Sequence, residues 1–266
     1  MRRCALLKIL IIGGDARMKV AYNKLLRCNY EVSTLGLFEG DNGSVTAADI
    51  LLFPVPTTRD GITVNCPLTD KKIPLDIVTQ AKDNAIILSG GYSFSRKHIN
   101  YLEDDGYCLL NAVPTAEGAI AEAITAADFT LWQSKILVIG AGRVGKILYD
   151  RLKGLKCDVT VSARKPSDFA MLDALQIKHI HTRDVPSNAG EYDIIFNTVD
   201  VPIFKGALEN LKNTIVFDLS SKGCMDFNKA QELGIRARLL PGIPGKSAPV
   251  TAGKIIAQMV IQYIEE

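Results

Sequence analysis

One segment of this chain occurs twice, and it constrains the fold more than any other feature. Lys8 to Gly13 is "KILIIG", and Lys135 to Gly140 is "KILVIG". Each copy is a short apolar run that ends in glycine and leads into a helical pattern. Strands that are apolar on both faces are typical of parallel sheets covered by helices. The repeat therefore predicts two Rossmann-like α/β domains, each a doubly wound parallel sheet that begins with a buried strand and a glycine turn.

Strand and helix patterns alternate after each copy. We predict strands at residues 8–12, 31–35, 50–55, 85–89, 108–111, 135–139, 158–162, 177–181, 193–197, 214–218 and 236–240. We predict helices at residues 16–28, 75–82, 114–129, 146–155 and 251–265.

An alanine-rich stretch marks the expected domain boundary. Pro114 is typical of the first turn of a helix, and Glu117 suits the positive end of the helix dipole. We therefore predict a bridging helix at residues 114–129, between an N-terminal substrate-side domain (residues 1–113) and a cofactor-binding domain (residues 114–266). The helix at residues 251–265 is expected to pack back at the interface.

The composition excludes several classes of protein. The chain has 266 residues, 47% of them hydrophobic and 23% charged, with a net charge of +2, so no charge excess indicates nucleic acid or a membrane surface. The apolar run near the start is too short to cross a bilayer and has no signal-peptide cleavage pattern. We expect a soluble, cytoplasmic protein. Its six cysteines form no C-x-x-C pair, which indicates reduced, mostly buried thiols and no metal site.

The second copy runs on into a glycine fingerprint. Residues 140–145 are "GAGRVG", which follow a predicted strand and open a predicted helix. In this pattern the first glycine makes the turn, the second admits a pyrophosphate, and the third lets the helix pack on the sheet. The helix start presents N–H groups to the phosphates. The predicted cofactor-binding residues of this turn are Gly140, Gly142, Arg143, Val144 and Gly145.

The next strand end indicates which cofactor is bound. An acidic residue there would bind the ribose 2′-hydroxyl of NAD. This chain has Ser162, Arg164 and Lys165 instead, and a hydroxyl with two cations favours the 2′-phosphate of NADP. NAD is the less favoured cofactor, and a role of the two cations as solvated loop charges is the alternative.

The first glycine turn lacks the third glycine. Gly14, Asp15, Ala16 and Arg17 follow the strand there. The helix start could hold an anion, and Arg17 could bind a carboxylate through its guanidinium. The alternative is a plain turn in which Asp15 caps the helix.

Ligands of open α/β sheets bind beyond the carboxyl ends of the strands, and this rule selects the remaining candidates. Asn197, Thr198 and Ser220 are predicted to bind the cofactor, and Thr57, Thr58, Arg59 and Thr115 the substrate. Glu117 and Lys222 are the candidate proton acceptors.

Four motifs together resemble the A subunit of bacterial dipicolinate synthases. They are "IIGGDAR", "NAVPTAEGAI", "KILVIGAGRVG" and "PGIPGKSAPVTAG", and the resemblance extends over nearly the whole chain in the same order. More distantly, the architecture is similar to that of D-2-hydroxyacid dehydrogenases, in which two Rossmann-like domains enclose a cleft.

The resemblance implies the oxidation of dihydrodipicolinate, a small dicarboxylate, to dipicolinate with a nicotinamide cofactor. It also implies a flavoprotein-like B subunit as the partner, a branch from the lysine pathway, and the mother cell of a sporulating bacterium; self-association is left open. Arg59 departs from the family pattern. Two alternatives stand: a D-2-hydroxyacid-type dehydrogenase, against which "LLPGIPGKSAPV" lacks a histidine, and a nucleotide-binding scaffold that regulates the B subunit.

Overall fold

A computed structural model of the chain describes residues 7–206 and 208–265. The strands of this part are β1 (Lys8–Ile12), β2 (Glu31–Leu35), β3 (Ile50–Leu52), β4 (Ile86–Ser89), β5 (Ile99–Asn100), β6 (Lys135–Ile139), β7 (Asp158–Ala163), β8 (His179–His181), β9 (Ile194–Asn197), β10 (Ile215–Asp218) and β11 (Ala237–Leu239).

The α-helices are α1 (Ala16–Arg27), α2 (Asp105–Ala126), α3 (Arg143–Gly154), α4 (Pro166–Ala174), α5 (Val185–Asn188), α6 (Phe227–Glu232), α7 (Ile243–Ser247) and α8 (Pro249–Glu265). Short 3-10 helices occur at Leu75–Gln80, Thr182–Asp184, Ala189–Glu191 and Leu208–Leu211.

The described residues form two parallel sheets, which confirms the predicted fold class. The order is β2-β1-β3-β4-β5 in the first sheet and β11-β10-β9-β6-β7-β8 in the second. The two copies of the repeated segment, β1 and β6, have the same burial pattern: the lysine is exposed and the next four residues are buried. Each copy lies inside its sheet, with a strand paired on either side.

Contacts divide the chain into two compact units, and the division differs from the predicted one. The first unit comprises residues 1–111 together with residues 244–266, and the second comprises residues 112–243. The C-terminal helix α8 therefore belongs to the first unit and not to the cofactor domain. Its Gly253 explains why, because a Cβ there would lie 2.4 Å from the carbonyl oxygen of Arg17 in α1. The two helices approach this closely only because Gly253 has no side chain.

The predicted start of the alanine-rich helix is wrong. The helix begins at Asp105, so that residues 108–111, predicted as a strand, and Pro114 both lie inside α2. The Asp104 carboxylate accepts a hydrogen bond from the Tyr107 amide at 2.5 Å, which satisfies one of the free N–H groups at the helix start. Tyr107 is buried in edge-on contact with Tyr101, with ring centroids 5.0 Å apart. This packing outweighs the local preference of proline for the first turn.

Candidate functional site

The glycine turn between β6 and α3 has the geometry that a dinucleotide-binding turn requires. A Cβ on Gly145 would lie 2.0 Å from the carbonyl oxygen of Gly140, so only glycine lets α3 start this close to the strand. Gly140 has a φ of +105°, and a Cβ there would lie 2.6 Å from the Thr198 hydroxyl oxygen. Gly142, the N-cap of α3, has open space where a side chain would be. The backbone is therefore open to a ligand at Gly142.

This open turn forms one wall of a cavity of about 220 Å³ inside the second unit. The cavity lies beyond the carboxyl ends of β6, β7 and β9, where the sheet rule places a ligand. Its lining residues are Gly140, Ala141, Gly142, Ser162, Ala163, Arg164, Lys165, Asp168, Thr182, Thr198, Val199 and Val201. Seven of the predicted cofactor-binding positions thus contribute to a single cavity: Gly140, Gly142, Ser162, Arg164, Lys165 and Thr198 line it, and Gly145 closes its turn.

The cationic end of the cavity is formed by Arg164 and Lys165. Both are exposed, and among the described residues neither forms an ion pair, so both are available to an anionic ligand. Ser162 lines the cavity but is fully buried, and its hydroxyl lies 3.2 Å from that of Thr182. Asp168, in the first turn of α4, also lines the cavity. Its carboxylate could accept a hydrogen bond from a ribose hydroxyl.

Asn197 and Thr198 hold the wall of the cavity in place. The Asn197 amide nitrogen donates to the Val199 carbonyl oxygen at 2.9 Å and to an Asp218 carboxylate oxygen at 2.9 Å. Asn197 is fully buried. The Thr198 hydroxyl donates to the Ile139 carbonyl oxygen at 2.8 Å and lies against Gly140. The Asn197 side chain is therefore occupied by protein partners, whereas Thr198 and Val199 line the cavity.

Asp218 holds the loop that follows β10, and Asp200 connects this loop to the one that follows β9. Asp218 accepts a hydrogen bond from the Ser220 amide at 2.9 Å and another from the Cys224 amide. The Asp200 carboxylate accepts from both the amide and the hydroxyl of Ser221, at 2.6 and 2.9 Å. Ser220, predicted as a cofactor contact, is buried in this loop, and its hydroxyl accepts from the Gly223 amide at 3.1 Å.

The turn between β1 and α1 is filled by the protein's own side chains. Asp15 caps α1 by accepting from the Arg17 amide, as the alternative from the sequence described. Arg17 is only 6% exposed, and its guanidinium donates to both carboxylate oxygens of Asp15 and to the Val55 carbonyl oxygen. Gly245 of α7 lies directly against this pair, because a Cβ there would be 2.9 Å from the Arg17 Nε atom. A substrate carboxylate would have to displace Asp15 to reach Arg17.

Of the other substrate candidates in the first unit, only Arg59 is free to reach a ligand. The Thr57 side chain is buried, donating to the Pro54 carbonyl oxygen and accepting from the Gly90 amide. The Thr58 hydroxyl donates to Asp60 at 3.0 Å. Arg59 is exposed and makes one long hydrogen bond, of 3.3 Å, to the Asn65 side chain.

Arg59 lines a second cavity, of about 350 Å³, in the first unit. Its other lining residues are Asp60, Thr63, Val64, Asn65, Cys66, Pro67, Thr69, Asp70, Lys71 and Lys72. This cavity lies beside the first glycine turn, because the Gly14 amide donates to the Asn65 carbonyl oxygen at 2.8 Å. The Lys71 ammonium is bound to Asp41, so that Arg59 and Lys72 are its cations without an ion pair in the described residues.

The two candidate proton acceptors and Thr115 are not part of either cavity. Glu117 lies in the middle of α2 rather than at a helix start, with its side chain 59% exposed and 3.5 Å from Arg151. Lys222 is exposed in the loop after β10, and Thr115 is half-buried in α2. These three roles stay predictions.

The cysteines are less buried than predicted. Cys224 is fully buried, whereas Cys28, Cys66, Cys108 and Cys157 are half-buried, and Cys4 lies outside the described residues. No helix of residues 7–206 and 208–265 is long and apolar enough to cross a membrane. The same residues contain no group of three or more acidic, histidine or cysteine side chains that could hold a metal ion.

Comparison with known proteins shows which proteins the chain is similar to. Residues 8–103 match the model of the N-terminal domain of the dipicolinate synthase A subunit. The dipicolinate synthase A subunit of Bacillus subtilis (strain 168) is 29% identical over 98% of this chain and 96% of its own length. The crystal structure of the dipicolinate synthase A subunit from Bacillus halodurans superposes with a TM-score of 0.88, at 28% identity over 98% of both chains. The chain is therefore similar to dipicolinate synthase A subunits in its N-terminal domain, along almost its whole sequence and in its fold.

The resemblance inferred from the four motifs is therefore confirmed, and so is the more distant likeness of architecture. D-lactate dehydrogenase from Escherichia coli superposes with a TM-score of 0.61 at 14% identity, over 97% of this chain and 96% of that chain. At this level of identity the likeness concerns the fold alone.

Several residues of the two sites were missed by sequence reasoning. Asp168 lies three positions after Lys165, in the first turn of α4. This position, so close to the predicted cofactor residues, could have identified it as a candidate from the sequence. Lys72 and Asn65 come from a loop without a motif. Asp218 is the last residue of an apolar strand, where a carboxylate is unusual, and this contrast could have drawn attention to it.

Proposed function

We propose that this chain is the NADP-dependent oxidoreductase subunit of a dipicolinate synthase and that it oxidises dihydrodipicolinate to dipicolinate. The observation that carries the proposal is the cavity at the second glycine turn, where an open backbone at Gly142 faces two cations without ion pairs in the described residues. The similarity to two dipicolinate synthase A subunits over 98% of the chain supports the substrate class.

The residues present fit NADP. Gly142 leaves room for a pyrophosphate against the start of α3, whose N–H groups and dipole favour negative charge. Arg164 and Lys165 would bind the 2′-phosphate, since a guanidinium matches phosphate oxygens in a bidentate manner. NADP, when bound, would accept a hydride from the substrate ring. The dihydro ring loses that hydride and one proton, and the product is the aromatic pyridine.

The dicarboxylate substrate is assigned to the cavity of the first unit. Arg59 and Lys72 are the cations there without an ion pair in the described residues, and Asn65 adds an amide. Two carboxylates need such cationic or N–H partners. The role predicted for Arg17 thus passes to Arg59, because Arg17 is already bound by Asp15. Lys222 and Glu117 stay the candidate acceptors of the proton. A second, different polypeptide is expected in the enzyme, since the similar proteins are named as A subunits.

Cofactor choice is tested by titrating NADP and NAD into the wild type and into Arg164→Ala. We expect the variant to bind NADP roughly ten- to a hundredfold more weakly, as the loss of a charge-assisted hydrogen bond of about 1.5–3 kcal/mol requires. NAD binding should change little. The matched control is Arg183→Ala, which removes an exposed arginine of the same unit outside the cavity. If the ratio of the NADP and NAD affinities were the same in Arg164→Ala as in the wild type, NAD would be favoured as the cofactor, with Asp168 as the ligand of its ribose.

Substrate assignment is tested by titrating dipicolinate into Arg59→Met, with Arg27→Met as the control because Arg27 is an exposed arginine of α1. We expect weaker dipicolinate binding in Arg59→Met alone, with NADP binding preserved in both variants. Turnover of dihydrodipicolinate with NADP, by the chain alone and with its partner polypeptide, tests the reaction. Turnover of a 2-hydroxy acid instead would overturn the proposal.

A further inference from the structure

Asp218 is a buried carboxylate without a matching cation. It ends β10, is 0% exposed, and accepts hydrogen bonds from Asn197, from the Ser220 amide and from the Cys224 amide. Among the described residues no lysine, arginine or histidine forms an ion pair with it. Buried carboxylates are ordinarily paired with a cation, because burying an unpaired charge is costly. We therefore expect a functional reason for the charge of Asp218.

The carboxylate is nevertheless ionised at neutral pH. Burial opposes its ionisation, but the hydrogen bonds from Ser220, Cys224 and Asn197 outweigh burial and hold the pKa of Asp218 below its ordinary value. A negative charge therefore lies inside the second unit, and within the described residues it is balanced by hydrogen-bond donors rather than by an ion pair.

The sheet topology places this charge under one half of the proposed cofactor site. The chain leaves β6 for β7 and β8 on one side and returns to β9 and β10 on the other, so that the switch point lies between β6 and β9. A dinucleotide binds across such a point. Since Arg164 and Lys165 follow β7 and would hold the adenosine half, the nicotinamide half lies towards β9 and β10.

The register gives the approximate distance of the charge from the turn. Asp218 pairs with Asn197, and Asn197 pairs with Ile139, the residue before Gly140. Two strand spacings amount to roughly 10 Å. Asn197 also links the charge to the cavity wall, because its amide group bonds to both the Asp218 carboxylate and the backbone of Val199, a lining residue.

We propose that Asp218 is a positioning residue of the cofactor site whose uncompensated charge makes the site favour the oxidised cofactor over the reduced one. The proposal rests on the proposed function, namely that NADP binds in this cavity. The oxidised nicotinamide ring carries a positive charge and the reduced ring carries none, so only the oxidised form is attracted by the carboxylate. Such a bias suits an enzyme that begins its cycle by binding the oxidised cofactor.

The experiment measures the dissociation constants of oxidised NADP and of NADPH for the wild type and for Asp218→Asn. Taking the nicotinamide ring to lie as far from Asp218 as the glycine turn does, roughly 10 Å, a Coulomb interaction at an effective dielectric constant of about 20 makes the affinity for oxidised NADP fall about tenfold more than the affinity for NADPH. For a two-electron couple, a tenfold change in this ratio raises the potential of the bound cofactor by about 30 mV.

Two further variants separate charge from structure. Asp218→Glu keeps the charge and should keep the wild-type ratio of the two affinities, even where both affinities fall. Thr214→Val is the matched control at the opposite end of the same strand, where the buried Thr214 hydroxyl donates to the Tyr192 carbonyl oxygen at 2.8 Å. It should lower the melting temperature and leave the ratio unchanged. Should Asp218→Asn not fold, Asp218→Ser removes the charge and still accepts a hydrogen bond from one amide.

Equal losses for oxidised NADP and NADPH in the neutral variants would overturn the charge effect and leave Asp218 with a structural role only. A wild type that binds neither form would overturn the proposed function itself, and with it this inference. The two failures are therefore distinguished by the wild-type titration alone.

Discussion

The two glycine turns of this protein follow nearly identical strands, but only the second leaves open space at the N-cap of its helix. Counted from the N-cap of the following helix, Asp15 in the first turn corresponds to Gly142 in the second, and Met18 corresponds to Gly145. The second turn keeps open space at Gly142 and lines a cavity. In the first turn, Asp15 fills that position with a carboxylate and binds Arg17.

The difference shows what the third glycine is for. In the second unit Gly145 lets α3 start against the Gly140 carbonyl oxygen, and the space beside Gly142 at the helix N-terminus stays open. In the first unit the buried side chain of Met18 stands at that position, and a Cβ on Gly14 would lie 2.2 Å from the Met18 Cγ atom. The first turn is therefore an internal packing element, and the repeated segment specifies a strand and a turn without specifying a ligand.

Gly142→Asp gives the second turn the side chain of the first and should have the largest effect. The carboxylate would repel the pyrophosphate and cover the helix N-terminus, so that NADP binding should weaken by more than about a hundredfold, the loss of two charge-assisted hydrogen bonds. The fold should survive, because aspartate is a favourable N-cap. Titration with NADP and a melting curve test both points. Preserved binding would show that the turn does not hold the phosphates.

Asp15→Asn breaks the buried pair of the first turn. The Arg17 side chain is 7% exposed and the Asp15 side chain 30%, so we expect a loss of about 2 kcal/mol, below the range for a fully buried pair. Glu31→Gln is the control. The side chains of the Lys8–Glu31 ion pair are each about half exposed, so this pair should contribute less than about 1 kcal/mol to the free energy of unfolding. Urea unfolding measures both. Equal small losses would mean that the first turn does not depend on this pair.

Gly253→Ala and Gly245→Ala test how closely the C-terminal residues pack on the first turn. At Gly253 a methyl group would lie 2.4 Å from a backbone oxygen, which cannot move without shifting α1, and we expect a loss of about 1–3 kcal/mol. At Gly245 the nearest atoms belong to the Arg17 side chain, at 2.9 Å, so the loss should be smaller. Melting temperatures in the reverse order would contradict this packing.

Cys66 lies against the first turn, 2.8 Å from where a Gly13 Cβ would be, and should react slowly with alkylating agents. Burial raises the pKa of the Cys66 thiol to about 11, so that little thiolate is present at neutral pH. Because a raised pKa keeps the thiol protonated, labelling should increase as the pH rises towards that value. Mass spectrometry of the labelled peptide gives the rate. Rapid labelling at pH 7 would mean that this part of the first turn opens.

The fold was predictable because its signals are local and repeated. The apolar residues of β1 and β6 are buried on both faces, as a parallel sheet requires, and Gly145 packs against the backbone of Gly140, which is close to it in sequence. The start of α2 was predicted wrongly at Pro114, because the preference of proline for a first helical turn is a local signal. The actual start depends on the packing of Tyr107 against Tyr101.

The site was predictable only in part, because the roles of several side chains depend on residues that are distant in the sequence. Arg164 and Lys165 follow β7 directly and line the expected cavity. The role of Arg17 depends on the Val55 carbonyl oxygen and on Gly245, which are remote in sequence. A pattern that shows an arginine beside a glycine turn does not show that an aspartate and a carbonyl group already occupy its donors.

The return of residues 244–266 to the first unit affects the order in which the protein can be completed. The second unit is a continuous stretch of chain, so all of its strands are available once residue 243 has been synthesised. The first unit still lacks α8 at that moment, and the surface of α1 that receives Gly253 is uncovered. Domains generally fold as units during synthesis, the earlier one first. Here the first unit lacks α8 until the second unit has been synthesised, so that of these two units the second is complete first.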